Sequence, residues 1–245
     1  MRSVKAIAAA TMFMTGAAQA GVTATITPTS DYDFRGITQS ATDPALQASI
    51  DWALDSGFYL GAWASNIDFG DCCDEDIEVD LYTGFTRSLD SGFSWNAGLV
   101  YYTYPGASYE DTFGVDADLH FWEASVGAGF KNFSAKFWYA DNFSNFEDIT
   151  GQSASAWYLE ANYTIQLPQD FSIGLHAGKS DGDYWGDFDY MDYAVSLGKA
   201  LGHFNLTLKY VYPDVEPAAE ITADPFNNED RLLFSVATTF PWSSD

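Results

Sequence analysis

An alternation of apolar and polar residues with a period of two is the feature that most constrains the fold of this chain. In residues 77–86, Ile77 and Val79 fall on one side, whereas Glu78 and Asp80 fall on the other. Successive side chains of an extended chain point to opposite faces, so this pattern predicts a β-strand with one apolar and one polar face.

The same alternation recurs in twelve segments. They are 22–35, 45–54, 58–69, 77–86, 92–104, 118–130, 133–143 and 154–166, followed by four that contain 171–175, 191–197, 204–212 and 232–240. Only segment 58–69 is ambiguous, because Phe58 and Leu60 on one side and Tyr59 and Trp63 on the other are all apolar. For that strand, the sequence does not decide which face points inward.

The connections between these segments alternate in length. Short ones with hairpin-turn residues follow every even-numbered strand, at 55–57, 90–92, 131–132, 168–170 and 201–202. Longer, acidic ones such as 105–117 and 213–228 follow the odd-numbered strands. Bacterial outer-membrane barrels have short periplasmic turns and long extracellular loops. The alternation of short and long connections therefore predicts an all-β, closed antiparallel transmembrane β-barrel of about 12 strands. A soluble β-sandwich or lectin-like domain is the disfavoured alternative.

The first 20 residues predict a secretory signal peptide. Arg2 and Lys5 precede an apolar stretch from 6 to 18, which ends in small residues at Ala18 and Ala20. We therefore expect a signal peptide at 1–20 and an outer-membrane β-barrel domain at 21–245. No later apolar run reaches the roughly 18 residues that a membrane-spanning helix needs. The predicted location is the outer membrane of a Gram-negative bacterium.

The chain is strongly acidic. It has 35 Asp and Glu against 10 Lys and Arg, a formal net charge of −25. Such a surface repels phosphate backbones, so a nucleic-acid partner is excluded. We expect the acidic loops to contact lipopolysaccharide loosely through bridging divalent ions. The last strand, with Leu232, Phe234 and Phe240, has an aromatic pattern similar to that read by the barrel-assembly machinery.

Aromatic residues concentrate near the strand ends. Those near the short turns are Trp52, Phe93, Trp95, Phe130, Phe133, Phe171 and Phe204, and those near the long loops are Tyr32, Phe34, Tyr101, Trp122, Tyr139, Trp157, Tyr210 and Tyr212. Aromatic girdles at both membrane interfaces are typical of such barrels. We therefore predict that all of these side chains face lipid.

If the apolar faces contact lipid, the opposite faces line the interior. The predicted lumen-lining and selectivity residues are Asp31, Asp33, Arg35, Asp51, Glu78, Asp80, Glu123, Lys136, Glu160, His176, Asp192, Lys209 and Arg231. Eight of them are acidic and four are basic, which favours cations over anions. The predicted function is a porin-like channel for passive diffusion of small solutes or ions. The alternative is a non-conducting structural or adhesion barrel, plugged by paired charges. Closure of the last strand on the first should bring Arg231 near Asp31 and Asp33.

An enzyme is disfavoured. The three histidines, His120, His176 and His203, stand in no recognisable nucleophile motif. No catalytic residue, cofactor or metal ligand is predicted. Cys72 and Cys73 are adjacent, so a vicinal disulfide between them would be strained. A vicinal disulfide, free thiols and a soft-metal site all stay open.

Several segments resemble the TorF family of proteobacterial porins. The most specific is Ser30-Asp31-Tyr32-Asp33-Phe34-Arg35-Gly36-Ile37-Thr38-Gln39-Ser40, followed by 43–47, 57–66, 78–82 and 101–106. The similarity extends over nearly the whole chain after residue 20. It implies an outer-membrane barrel and gives little indication of the substrate. It supplies no catalytic residues.

Overall fold

Twelve antiparallel strands close into a single barrel in the computed structural model of the protein. The structure describes residues 21–70, 75–106, 119–145, 153–215 and 225–242. Each barrel strand pairs with its two neighbours, and the order follows the chain around the barrel until the last strand meets the first. The predicted fold class is therefore confirmed.

The strands are numbered along the chain, including a small hairpin that lies outside the barrel wall. The wall contains β1 (Gly21–Thr29), β4 (Ala45–Ala53), β5 (Phe58–Asn66), β6 (Ile77–Ser88), β7 (Phe93–Thr103), β8 (Phe121–Phe130), β9 (Phe133–Ala140), β10 (Ala156–Leu167), β11 (Phe171–Asp181), β12 (Tyr190–Leu201), β13 (Phe204–Asp214) and β14 (Arg231–Phe240). The hairpin consists of β2 (Asp33–Phe34) and β3 (Ile37–Thr38).

Closure joins β1 to β14. Ala24 lies opposite Phe240, and Thr29 lies opposite Ser235. A closed sheet has no edge, so the backbone groups of every wall strand can pair within the barrel. A bilayer offers no water to satisfy unpaired groups, and closure therefore meets the main requirement for a membrane-spanning sheet. None of the helical segments among the described residues is long and apolar enough to cross a bilayer.

The outer face of the barrel is apolar and exposed. Val126, Val195 and Leu232 are 58%, 53% and 64% exposed, although each lies within a strand. Side chains of this kind are usually buried in soluble proteins. The structure also shows which face of β5 points outward, because Phe58 and Leu60 lie on this exposed face. An outer surface of this composition is suited to contact with the hydrocarbon of a bilayer.

The first strand is shorter than predicted. β1 ends at Thr29 rather than at residue 35, and the chain then turns into the barrel. Arg35 and Gly36 both have positive φ, 52° and 88°, which reverses the chain between β2 and β3. Tyr32 is only 7% exposed. Its prediction as a lipid-facing aromatic, and that of Phe34, are therefore wrong, because both side chains pack in the interior.

The ends of other strands at the long loops also differ from the prediction. Segment 133–143 leaves the wall after Ala140, and Phe143 begins a 3₁₀ turn, Phe143–Asn145, in which it is buried. Segment 58–69 leaves the wall after Asn66, and Phe69 is buried. In each case an aromatic side chain that follows the strand packs into the barrel mouth, where it loses contact with water.

Candidate functional site

The barrel interior divides into two halves of different accessibility. At the short-turn end, most residues on the inward face are small or polar and half-exposed. Among them are Asn96, Gly127, Ser134, Thr164, Gly174, Ser196, Thr207 and Ser235. At the long-loop end, the inward side chains are buried, among them Tyr102, Glu123, Trp138, Tyr158, Asp192 and Val211. The short-turn half is therefore a polar, water-accessible tube, whereas the long-loop half is filled.

Residues 30–44, here called the inner loop, fill much of the long-loop half. The β2–β3 hairpin belongs to this loop. Its Thr38 is fully buried, and Ser40 is 1% exposed. The hydroxyl groups of both side chains donate to Asp31 Oδ1, over 2.5 and 3.2 Å. Buried hydrogen bonds within the inner loop therefore stabilise its conformation, in addition to its contacts with the wall.

Arg231 of β14 anchors the inner loop to the wall. Its Nε donates to Asp31 Oδ2 over 2.9 Å, and its Nη2 donates to Asp33 Oδ1 over 2.7 Å. The same Nη2 also lies 3.1 Å from the carbonyl oxygen of Gly36. Lys209 of β13 adds a second cation, with Nζ 2.9 Å from Asp33 Oδ2. The ion pairs predicted at the seam between the first and last strands are present.

Arg35 at the hairpin tip crosses the barrel to the opposite wall. Its Nη2 lies 2.6 Å from Glu123 Oε2 on β8. The guanidinium carbon lies 4.6 Å from the ring centre of Phe34 and 4.5 Å from that of Tyr158. Tyr190 donates from its hydroxyl to the Arg35 carbonyl oxygen over 2.9 Å. Charge-assisted hydrogen bonds and cation–π contacts thus fix the loop on both sides of the barrel.

A polar network lies beside this anchor on β10, β11 and β12. His176 contacts Asp192 Oδ2 through Nε2 over 2.7 Å and Asn162 Oδ1 through Nδ1 over 2.8 Å. Tyr158 donates to Asp192 Oδ1 over 2.9 Å. Asn162 donates to Glu160 over 3.0 Å. The ring of His176 is thus oriented at both nitrogens.

Lys136 and its neighbours complete this part of the wall. Lys136 lies opposite Glu160 in the β9–β10 register. Its Nζ is 3.5 Å from the ring centre of Trp138, and the indole of Trp138 donates to Glu160 over 3.0 Å. Lys136 is 4% exposed. The ammonium group therefore has both an aromatic face and a carboxylate beside it.

Three interior carboxylates make their contacts with hydroxyl groups or with each other. Asp51 accepts hydrogen bonds from Tyr82 and Ser49. Glu78 and Asp80 interact with one another, and Glu78 also faces tyrosines. Glu78 Oε2 and Asp80 Oδ1 are buried with no hydrogen-bond partner among the described residues. Within the described ranges, no lysine or arginine forms an ion pair with Asp51, Glu78 or Asp80.

A cavity of about 210 Å³ lies above the inner loop at the long-loop end. Arg35 and Phe34 of the inner loop line it, together with Glu78, Tyr104 and Trp185. Burial, and then the nearby Glu78 carboxylate, raise the pKa of Tyr104 well above its ordinary value. Tyr104 therefore remains a neutral hydroxyl donor beside that carboxylate.

The thirteen predicted interior residues divide into two groups by position. Asp31, Asp33 and Arg35 lie on the inner loop instead of on the wall, which corrects their assignment to the first strand. The others lie on the inward faces of wall strands: Asp51, Glu78, Asp80, Glu123, Lys136, Glu160, His176, Asp192, Lys209 and Arg231. Cys72 and Cys73 lie outside the described residues. In the described ranges, no group of three or more His, Cys, Asp and Glu side chains is arranged to hold a metal ion.

The inner loop is the part of the site that periodicity missed. A signal for it exists in the sequence, because Gly36 directly follows Arg35, the last residue of the segment 22–35 predicted as the first strand. Glycine commonly marks a position where φ is positive. The aromatic side chains of the loop, which match a lipid-facing pattern equally well, obscured that signal.

Solved structures of similar fold are outer-membrane porins. The NanC porin is 9% identical, with a TM-score of 0.55, covering 90% of this chain and 100% of that one. The KdgM porin is 9% identical, with a TM-score of 0.52, covering 90% and 99%. A KdgM porin in complex with disordered oligogalacturonate is 8% identical, with a TM-score of 0.51, covering 91% and 99%. At these identities the likeness concerns the fold alone.

Sequence comparison gives a family without an assigned activity. No curated protein matches the chain. A family model described as "Bacterial protein of unknown function (Gcw_chp)" matches residues 14–240. The match does not carry the TorF name, so that more specific resemblance stays a prediction. The chain belongs to the Gcw_chp family of bacterial proteins.

Proposed function

We propose that the protein is a porin-like channel in the outer membrane of a Gram-negative bacterium, through which small solutes diffuse passively. The observation that carries the proposal is the tube in the short-turn half. Its wall consists largely of glycine and small polar side chains that are half-exposed inside a closed barrel. An interior that served only to stabilise the fold would be filled by side chains along its whole length.

The interior charges favour cations. Eight carboxylates and four basic groups are among the thirteen interior residues named above. The four basic groups lie beside carboxylates. The contacts of Asp51, Glu78 and Asp80 in the described part of the chain are with hydroxyl groups or with each other. A pore with excess negative charge concentrates cations and repels anions. We expect the selectivity to depend on the carboxylates that form no ion pair with a described lysine or arginine.

One structural neighbour gives a useful contrast. A solved structure holds the KdgM porin in complex with disordered oligogalacturonate, and an oligogalacturonate is a polyanion. An interior with excess carboxylates would repel such a molecule at close range. We therefore expect this protein to discriminate against acidic oligosaccharides, although its barrel has a similar shape.

Reversal potentials test the proposal. The folded full-length barrel is placed in a planar bilayer between two potassium chloride concentrations. The sign of the reversal potential should be that of potassium. A chloride-selective reversal potential would refute the assignment of the interior charges. Liposome swelling with neutral solutes of graded size then measures the width of the pathway.

The outer face and the loops supply the proposed partners. The exposed apolar face would contact outer-membrane lipid, and the acidic loops would contact lipopolysaccharide through divalent ions. The alternating β14 strand, with Leu232 and Phe234 outward, would be read by the barrel-assembly machinery. Neither nucleic acid nor a cofactor has a place in this proposal.

A non-conducting structural or adhesion barrel is the second candidate. The observation in its favour is the inner loop, which fills the long-loop half and is held there by Arg35 and Arg231. Bilayer recordings separate the two functions. Current steps at low voltage support the channel, whereas a correctly folded barrel that gives no current at any voltage supports the second candidate.

A further inference from the structure

The cavity above the inner loop has walls made mainly of aromatic rings. Phe69 lies 5.8 Å from Tyr104 and 4.8 Å from Phe226, measured between ring centres. On the other side, Phe143 lies 4.8 Å from both Phe121 and Tyr184. All of these side chains line the cavity. Aromatic faces carry partial negative charge, so walls of this kind attract organic cations.

Glu78 contributes a carboxylate to the same cavity. The side chain is 2% exposed and lines the cavity wall beside Tyr104. Its Oε2 has no hydrogen-bond partner in the described parts of the chain. A buried carboxylate oxygen without a donor is unfavourable, and a bound group with an N–H donor or a positive charge would satisfy it. The cavity therefore offers both aromatic faces and a counter-charge.

Arg35 also lines the cavity, but its charge is already engaged. Glu123 lies 2.6 Å from the guanidinium, and the rings of Phe34 and Tyr158 lie within 4.6 Å of its central carbon. An anionic ligand would have to compete with Glu123 for this group. It would also lie close to the Glu78 carboxylate. The balance of charge in the cavity therefore favours a cation.

The size of the cavity limits the ligand. Its volume of about 210 Å³ lies below the ~300–1,000 Å³ of pockets that hold drug-sized ligands. We propose that this cavity binds a small organic cation, an amine or quaternary ammonium compound with a single ring or a short aliphatic group. The ammonium group lies towards Glu78, and the apolar part contacts the aromatic walls. The inference goes beyond the channel function, because binding at this site does not require conduction.

Three probes of similar shape and different charge test the site. They are 2-phenylethylammonium, the neutral 2-phenylethanol and the anionic phenylacetate. Each is titrated into the folded full-length protein in detergent, and binding is measured by isothermal titration calorimetry. The cation should bind saturably at one site. The alcohol should bind at least ten-fold more weakly, and the anion should not bind. Equal affinity for all three, or no saturable binding of the cation, would overturn the proposal.

Substitutions then locate the site. Glu78→Gln preserves the shape of the side chain and should weaken binding of the cation at least ten-fold, with little change for the alcohol. Phe69→Leu keeps an apolar side chain but removes one ring face, so it should weaken the cation more than the alcohol. Asp170→Asn removes one negative charge at an exposed short turn and serves as the matched control.

The fold of each variant is checked by its heat-dependent mobility on gels. Unchanged cation binding in folded Glu78→Gln protein would refute the assigned site. Because conduction is measured separately in bilayers, a barrel that conducts without binding the cation overturns only this inference. A barrel that binds the cation without conducting overturns only the channel.

Discussion

Replacement of Arg231 by glutamine should release the inner loop. The guanidinium donates to Asp31 and Asp33 over 2.9 and 2.7 Å, and to the carbonyl oxygens of Asn227 and Gly36 over 3.0 and 3.1 Å. The Arg231 side chain is only 9% exposed. These contacts connect β14 to the inner loop on both sides of β2. Their loss should therefore weaken the attachment of the loop to the wall.

The size of the effect follows from the number and burial of these contacts. Removal of one partner from a buried ion pair costs about 3–5 kcal/mol. Asp31 keeps the hydroxyl of Thr38, and Asp33 keeps Lys209. The lower end of that range, about 3 kcal/mol, therefore applies. At 1.4 kcal/mol for each factor of ten, this shifts the balance between docked and undocked loop by about 100-fold.

Single-channel recording measures the consequence. In Arg231→Gln protein, the open probability or the unitary conductance should exceed that of the unaltered protein, since the inner loop leaves the long-loop half more often. Arg87→Gln is the control, because Arg87 is an exposed arginine on the outer face of β6. Identical currents in unaltered and Arg231→Gln protein, with both correctly folded, would refute the conclusion that the loop restricts the pathway.

Further substitutions test the loop, the wall and the charges. Gly36→Ala places a Cβ 3.0 Å from that of Asp192 at a φ of +88°, so it should strain the hairpin by about 1–3 kcal/mol and lower the midpoint of thermal unfolding. Val195→Arg puts a charge on the outer face near the middle of β12 and should cost about 2–4 kcal/mol in lipid vesicles. Ser196→Arg, directed inward, should cost much less, and urea unfolding compares the two. Asp51→Asn removes a half-exposed interior carboxylate and should move the reversal potential away from that of potassium, whereas an unchanged value would exclude Asp51 from selectivity.

The wall of the barrel could be predicted from the sequence because its determinants are local. Each strand has its own alternation, and each turn has its own residues. Closure then brings Arg231 of β14 near the end of β1, which Asp31 and Asp33 follow in the chain. The predicted inward face of a strand such as β6 depends only on which of its neighbouring residues, Ile77 or Glu78, is apolar.

The inner loop could not be predicted in this way. Tyr32 and Phe34 continue the alternation of β1. An aromatic ring is removed from water both when it contacts lipid and when it packs inside the barrel mouth, so the alternation does not distinguish the two positions. In the structure, Tyr32 lies 5.2 Å from Trp63, measured between ring centres. The contact of Arg35 with Glu123 joins residues 88 positions apart. Such contacts depend on where the loop lies in three dimensions, which periodicity does not contain.

A nitroxide scan of β12 tests the membrane-spanning barrel most directly. Single cysteines are introduced at 193–197 in protein whose Cys72 and Cys73 are replaced, labelled, and reconstituted in lipid vesicles. Collision with oxygen, which dissolves in hydrocarbon, should peak at 193, 195 and 197 and fall at 194 and 196. Collision with a water-soluble nickel chelate should not rise at the outward positions. Oxygen accessibility without a period of two, or with its maxima at 194 and 196, would contradict a wall whose alternate side chains contact lipid.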